Sequence, residues 1–184
     1  LFSCGSQNRQ KAEYFDANTL GLSPAPLPQY RVGTKFVYSN GTWESVFNTG
    51  PDGTTWVNHR GNESKGSSDF TYKRMQWKTR DRQGSRVFNQ TEFWLGEPTT
   101  TLWPLKPGNR TKYNEEGTWS TSDGTTRSYD NYWSCEVKGT ERVSVVAGDF
   151  DTWKITCKRF SNRFRSTSKT REYRTWYYAP TINH

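Results

Sequence analysis

The sequence predicts an all-β protein with about 9–11 antiparallel strands in one curved sheet, closed or folded into a half-barrel, a barrel or a sandwich. Turn signals rich in Gly, Asn and Asp recur along the chain and separate runs rich in Thr, Val and aromatic residues. Apolar residues nowhere repeat with a sustained helical period between caps. These observations favour antiparallel strands joined by turns.

Aromatic side chains supply the material for a core. Only 30% of the 184 residues are hydrophobic, but they include ten Phe, ten Tyr and nine Trp. A large ring buries about 150–250 Å², so a modest number of rings can fill a core. The length fits one domain. We predict an anchor and tether over residues 1–29 and a single β domain over residues 30–184.

The first element is the N-terminal tether. Within residues 5–29, three prolines fall between Pro24 and Pro28. Closely spaced prolines favour an extended, semi-rigid segment. Two interpretations stay open: a spacer that holds the domain away from a surface, and an extended arm packed along the domain.

The β domain begins with a hairpin. Asn40-Gly41 separates two apolar runs, and Asn-Gly is a strong signal for a tight hairpin turn. The glycine-rich and serine-rich residues 60–68 predict a loop, and Lys138-Gly139 predicts a turn. Pro104 and Pro107 lie within residues 98–108 and exclude a central strand there. We expect Leu102, Trp103 and Leu105 in that segment to plug one end of the core.

Cys4 indicates a location. Leu1-Phe2-Ser3-Cys4 resembles the end of a bacterial lipoprotein signal, in which a small residue precedes the acylated cysteine. A signal peptide would then precede it. The resemblance implies a lipid on Cys4 and an exported protein anchored on the periplasmic side of a membrane, which we expect to be the outer membrane. The alternative is an ordinary residue in a frayed terminus.

Cys135 and Cys157 form a possible disulfide. Cys135 shares strand parity with Trp133 and Val137, and Cys157 shares it with Trp153 and Ile155, so both cysteines face the core. If residues 141–146 form a separate strand between them in a flat meander, their Cα atoms lie about 9–10 Å apart. A disulfide needs about 7 Å or less. The pair therefore closes only in a bent sheet or another strand order, and the alternative is two buried thiols.

The C-terminal region resembles a family of exported, β-rich bacterial lipoproteins of unknown function. Val145 to Thr152 is similar to its Val-Pro-Ala-Gly-x-Phe-x-Thr motif, with Val146 in place of the proline. Residues 174–180 are similar to the Trp-Tyr-x-Pro segment that follows it. The resemblance implies a curved antiparallel sheet and carries no catalytic residues.

The sequence contains no recognisable catalytic, cofactor or metal-binding motif. Its two histidines, His59 and His184, accompany no nucleophile motif, and no zinc-ligand spacing is present. We therefore expect a protein that is not an enzyme and that needs no cofactor.

Positive charge mixed with aromatic rings is the remaining signal. The net charge is +8, and seven basic residues lie between Lys158 and Arg174. Such patches attract anionic polymers and surfaces. Trp176 and Tyr178 share parity with Arg174, so we expect them on the solvated face, where rings can stack on bases or sugars. The alternative is ordinary surface residues packed on arginine stems. The candidate binding patch comprises Arg163, Arg165, Arg171, Arg174, Trp176 and Tyr178.

The function that these observations favour is a binding or assembly module of the bacterial envelope. Its partner would be an envelope protein complex or an anionic envelope polymer or lipid, and export disfavours nucleic acid. The alternative is a carrier of a lipid or other apolar ligand in an aromatic-lined β-cavity. A secreted hydrolase ranks last.

Overall fold

The computed structural model describes residues 17–72, 76–80, 87–96, 98–161 and 170–184. Within these ranges one antiparallel sheet contains ten strands in consecutive order, and there is no helix. The strands are β1 (Lys35–Val37), β2 (Trp43–Gly50), β3 (Gly53–Asn58), β4 (Glu63–Gly66), β5 (Gln76–Arg80), β6 (Val87–Leu95), β7 (Arg110–Thr121), β8 (Thr126–Val145), β9 (Gly148–Ser161) and β10 (Thr170–Tyr178). The predicted all-β class is confirmed.

The sheet is open but strongly curved. The described residues of β1 and β10 do not pair with each other, so no barrel closes. Instead, the turn after β10 returns to the region of β1. The His184 ring stacks on Phe36 with centroids 3.7 Å apart, and the Asn183 side-chain amide donates to the Gln29 carbonyl at 2.9 Å. The two edges of the sheet are therefore brought together around a shared concave face.

The longest strand pair is β8 with β9, and it corrects the expected turn at Lys138-Gly139. β8 continues through this point, and the register shifts between Val137 and Gly139. Gly139 has φ 139°, and a Cβ atom there would lie 2.0 Å from the Ala17 carbonyl oxygen. Glycine in a strand marks a bulge or a close backbone approach, and here it serves both. The flat meander with a separate strand over residues 141–146 does not occur, because residues 141–145 extend β8.

This correction brings the two core cysteines together. Cys135 and Cys157 are directly opposite each other on adjacent strands. Their Cα atoms are 4.1 Å apart and their Sγ atoms 2.08 Å apart, at disulfide distance. Both are 1% exposed. The cysteines are separated by one strand spacing and not by two, because no strand lies between β8 and β9.

Residues 17–29 pack on the domain as an arm. The Leu105 amide donates to the Ala25 carbonyl at 2.8 Å, and the Thr140 amide donates to the Ala17 carbonyl at 2.7 Å. Ala25 is 2% exposed. The packed-arm interpretation therefore describes this part of the predicted tether, whereas Cys4 lies outside the described residues.

The predicted plug is confirmed, and one predicted loop is wrong. Leu102, Trp103 and Leu105 are all buried against the inward side chains of β8 and β9. Residues 60–68, predicted as a loop, contain β4, which pairs with both β3 and β5. The serine and glycine of β4 are small residues that the curved sheet buries against neighbouring strands.

A buried polar contact lies beside this core. Glu115 on β7 is fully buried, and its carboxylate accepts a hydrogen bond from the Trp133 indole at 2.6 Å. The Asn131 amide lies 3.4 Å from the other carboxylate oxygen. Burial, followed by the nearby Glu115 charge, raises the pKa of Tyr129 well above its usual value. The carboxylate thus ties β7 to β8 inside a low-dielectric site.

We expect the double substitution Cys135→Ala/Cys157→Ala to lower the free energy of unfolding by about 3 kcal/mol, because the bond closes a loop with a separation of 22 residues. Urea unfolding monitored by circular dichroism measures the change. Reductant should cause a similar loss in the unmodified chain and none in the double variant. A wild-type unfolding curve that does not respond to reductant would contradict the bond.

Removal of the buried carboxylate should also destabilise the fold. Glu115→Ala leaves the Trp133 indole without its acceptor, and we expect a loss of about 1–3 kcal/mol in urea unfolding. Glu115→Gln retains an acceptor oxygen and should lose less. Glu116→Ala, on the exposed side of the same strand, is the control and should change stability by less than about 0.5 kcal/mol. Equal losses in the Ala and Gln variants would show that the hydrogen bond is not the source of the stability.

Candidate functional site

A pocket of about 580 Å³ opens inside the curve of the sheet. Its walls come from β2, β3, β5, β6 and β10, from the segments on either side of β1 and before β5, and from the chain after β10. Pockets for small ligands typically measure about 300–1,000 Å³. The curvature that brings β10 opposite the first half of the sheet therefore creates a space of ligand size.

Aromatic rings dominate the lining. They are Tyr30, Tyr38, Trp56, Phe70, Trp77, Trp176 and Tyr177. In the first wall, Tyr30 meets Trp56 edge-to-face with centroids 4.7 Å apart. Phe36 packs behind both rings, at 6.5 Å from Tyr30 and 6.1 Å from Trp56. This wall is therefore held in place by ring-on-ring contacts.

The second wall packs directly against the core. Phe70 contacts Trp176 with centroids 5.5 Å apart. On its other sides Phe70 stacks with Tyr178 at 5.7 Å and meets Trp103 edge-to-face at 5.6 Å. Because Trp103 and Tyr178 are buried, the pocket wall and the core are one continuous set of rings. The wall is thus preformed in the folded protein.

Polar groups stand among the rings. Glu44, Arg174, Ser67, Ser68, Thr91 and His184 complete the lining. The Tyr38 hydroxyl donates to the Glu44 carboxylate at 2.9 Å and lies 3.4 Å from His184 Nε2. Hydroxyl, carboxylate and guanidinium groups can orient a ligand that the rings hold.

Arg174 is fixed by two neighbours. Its Nε donates to the Glu172 carboxylate, and its guanidinium lies 5.0 Å from the centre of the Trp133 ring. Glu172 also pairs with Arg159 at 3.1 Å. The positive charge at the pocket is therefore already partnered by a carboxylate and an aromatic face.

The prediction that Trp176 and Tyr178 of β10 lie on the solvated face is wrong. Arg174 lies opposite Cys157 and Trp176 lies opposite Ile155, so the even-numbered residues of β10 share the inward face with the disulfide. Tyr178 is 3% exposed, its hydroxyl donates to the Asn183 side chain at 3.0 Å, and burial raises its pKa. Tyr173, of the opposite parity, is 69% exposed. The sheet curves so that the face of β10 carrying Arg174, Trp176 and Tyr178 becomes its concave, inward side.

The predicted patch is therefore divided. Arg174 and Trp176 meet in the pocket, whereas Tyr178 belongs to the core. Arg171 lies on β10, and Arg163 and Arg165 lie outside the described residues.

Sequence reasoning missed the pocket residues that lie outside β10. Tyr30, Trp56, Phe70 and Trp77 come from four separated segments and share no motif. One signal was present: Thr54 and Trp56 share a strand face, which is buried. The meeting of these rings with β10 follows only from the curvature of the sheet.

Two further features of the described ranges bear on function. No group of three or more His, Cys, Asp or Glu side chains there is placed to hold a metal ion. No helix of these ranges is long and apolar enough to cross a membrane.

No protein-family model matches the chain, and no curated protein matches its sequence. Among solved structures, a similar chain is the hypothetical lipoprotein YmcC from Escherichia coli (K12), with a TM-score of 0.49 and 12% sequence identity. The alignment covers 79% of this chain and 68% of that chain. At this level of similarity the likeness assigns no function to this chain.

Proposed function

We propose that this chain is a non-enzymatic ligand-binding module of the bacterial envelope, and that the aromatic pocket is its binding site. The observation that carries the proposal is the preformed pocket of about 580 Å³ between two aromatic walls. A concave pocket favours a small ligand, or the end of a longer one, over a protein partner that would bind through a flat surface. No residue is given a catalytic role.

Preorganisation supports binding. The rings of both walls are held by other rings, so little side-chain freedom is lost when a ligand enters. Large rings also provide much contact area at low entropic cost, since they have few rotatable bonds. The pocket is therefore suited to binding without a rearrangement of the sheet.

The envelope location is part of the proposal. Disulfides persist in oxidising compartments such as the bacterial periplasm, and Cys135 and Cys157 lie at disulfide distance. The Cys4 sequence pattern adds a lipid anchor. Residues 5–16, between that anchor and the packed arm, could reach at most about 40 Å when extended. The pocket would then stay close to the membrane.

The pocket assignment is tested by filling the space. We expect Ser68→Trp to abolish ligand retention, because Ser68 lines the pocket and an indole there would occupy it. The full chain is incubated with a small-molecule extract of bacterial envelopes, and native mass spectrometry measures what stays bound. Ser144→Trp, on an exposed position of β8, is the matched control and should retain ligand. Equal retention by both variants, or none by the unmodified chain, would refute the proposal.

Cys4 provides a separate test of location. When the full precursor is expressed in a bacterium, Cys4→Ser should abolish acylation and move the protein from the membrane fraction to the soluble periplasmic fraction. Mass spectrometry of the N-terminal peptide measures the acyl groups directly. Cys157→Ala is the control, since it changes a cysteine without changing the anchor. An unmodified Cys4 in the wild-type protein would reject the lipid anchor and leave the pocket proposal unaffected.

A further inference from the structure

We infer that the ligand of the pocket is a neutral saccharide, whose rings stack between the two aromatic walls while its hydroxyls meet the polar side chains. The inference rests on the proposed function, because it names the ligand class of the same site. It follows from three properties of the lining: the kind of apolar surface, the kind of polar group and the balance of charge.

The apolar surface of the pocket is aromatic. Among the described residues that line it, none is Val, Leu, Ile or Met. An acyl chain is flexible and is best surrounded by conformable aliphatic side chains, which the chain places elsewhere, in the plug of Leu102 and Leu105. Rigid rings such as Trp77 and Trp176 present flat faces instead. A sugar ring offers a matching flat face of C–H groups, whose slight positive charge favours the negative face of an aromatic ring.

The polar groups suit a ligand bearing hydroxyls. Ser68, Thr91 and Tyr38 place hydroxyl groups at the lining. A hydroxyl both donates and accepts hydrogen bonds, as a sugar hydroxyl does. The Glu44 carboxylate, which already accepts from Tyr38, adds an acceptor at the same side. A pocket with flat apolar faces and hydroxyl-bearing edges therefore has the two surfaces that a sugar ring presents.

The charge balance argues against an anionic ligand. Among the described residues of the lining, Glu44 supplies one carboxylate side chain and Arg174 one guanidinium, so these two charges cancel. Arg174 is also engaged with Glu172. Nucleotides and other phosphate ligands are held by arginine and lysine side chains directed at the phosphate. The pocket thus favours a neutral ring ligand over a nucleotide.

Titration calorimetry of the full chain tests the inference. The probes are three neutral oligosaccharides, cellotetraose, maltotetraose and chitotetraose, with palmitate and uridine monophosphate as comparators. We expect at least one oligosaccharide to bind with a Kd of about 1 mM or tighter. Palmitate and the nucleotide should bind more weakly. Failure of all three oligosaccharides to bind at this level overturns the inference.

Aromatic-to-leucine variants identify the stacking surface. Trp77→Leu keeps an apolar side chain but removes a flat face, and should weaken oligosaccharide binding about ten-fold, the loss expected for one stacking platform. Trp176→Leu provides a second variant, in the wall formed with Phe70. Phe47→Leu is the matched control, because Phe47 is 67% exposed and does not line the pocket. Circular dichroism confirms that each variant is folded.

The outcomes separate the ligand class from the site. Palmitate binding that survives Trp77→Leu overturns the saccharide inference and leaves the pocket as a carrier site for an apolar ligand. Preferred binding of the nucleotide also overturns the saccharide and retains the site. Oligosaccharide binding unchanged in both Trp77→Leu and Trp176→Leu places the sugar elsewhere and overturns the inference. If the unmodified chain retains no ligand in the envelope-extract experiment, the proposed function is refuted as well.

Discussion

The buried indole of Trp133 connects the fold to the pocket. Its nitrogen donates to Glu115 on β7, and its ring faces the guanidinium groups of Arg174 on β10, at 5.0 Å, and of Arg159 on β9, at 5.9 Å. One side chain of β8 therefore interacts with residues of three other strands, β7, β9 and β10. Because Arg174 also lines the pocket, the position of a polar group in the site depends on a contact made inside the core.

Curvature is the second constraint, and it is built from local irregularities. The bulge at Gly139 lets β8 bend without ending, and the Ala17 carbonyl occupies the space that a side chain would fill. The turn after β10 then stacks His184 on Phe36 near the first strand. A flat sheet with the same strand order would separate these edges and leave no pocket. The site is thus a consequence of sheet shape more than of any single motif.

Apolar and polar groups are neighbours on the concave face. The disulfide-distance pair, Ile155 and the Leu105 plug are tightly packed apolar groups. Arg174 lies opposite Cys157 and pairs with Glu172, and the buried Glu115 accepts a hydrogen bond from Trp133. Buried polar groups are tolerated where they are hydrogen-bonded. The aromatic pocket lies beside these groups, so rings and polar side chains line it together.

Strand alternation and turn chemistry are local properties, so the sequence alone predicts the fold class, the core-facing parity of Cys135 and Cys157, and the plug at Leu102 to Leu105. It did not determine that Lys138-Gly139 is a bulge, since the same dipeptide serves turns and bulges. Nor did it determine that Tyr178 is buried, because parity assigns residues to two faces and only the direction of curling decides which face is inside. The pairing distance of the cysteines and the presence of Trp77 and Trp176 in one pocket also depend on the tertiary structure, since both bring together segments that are distant in the sequence.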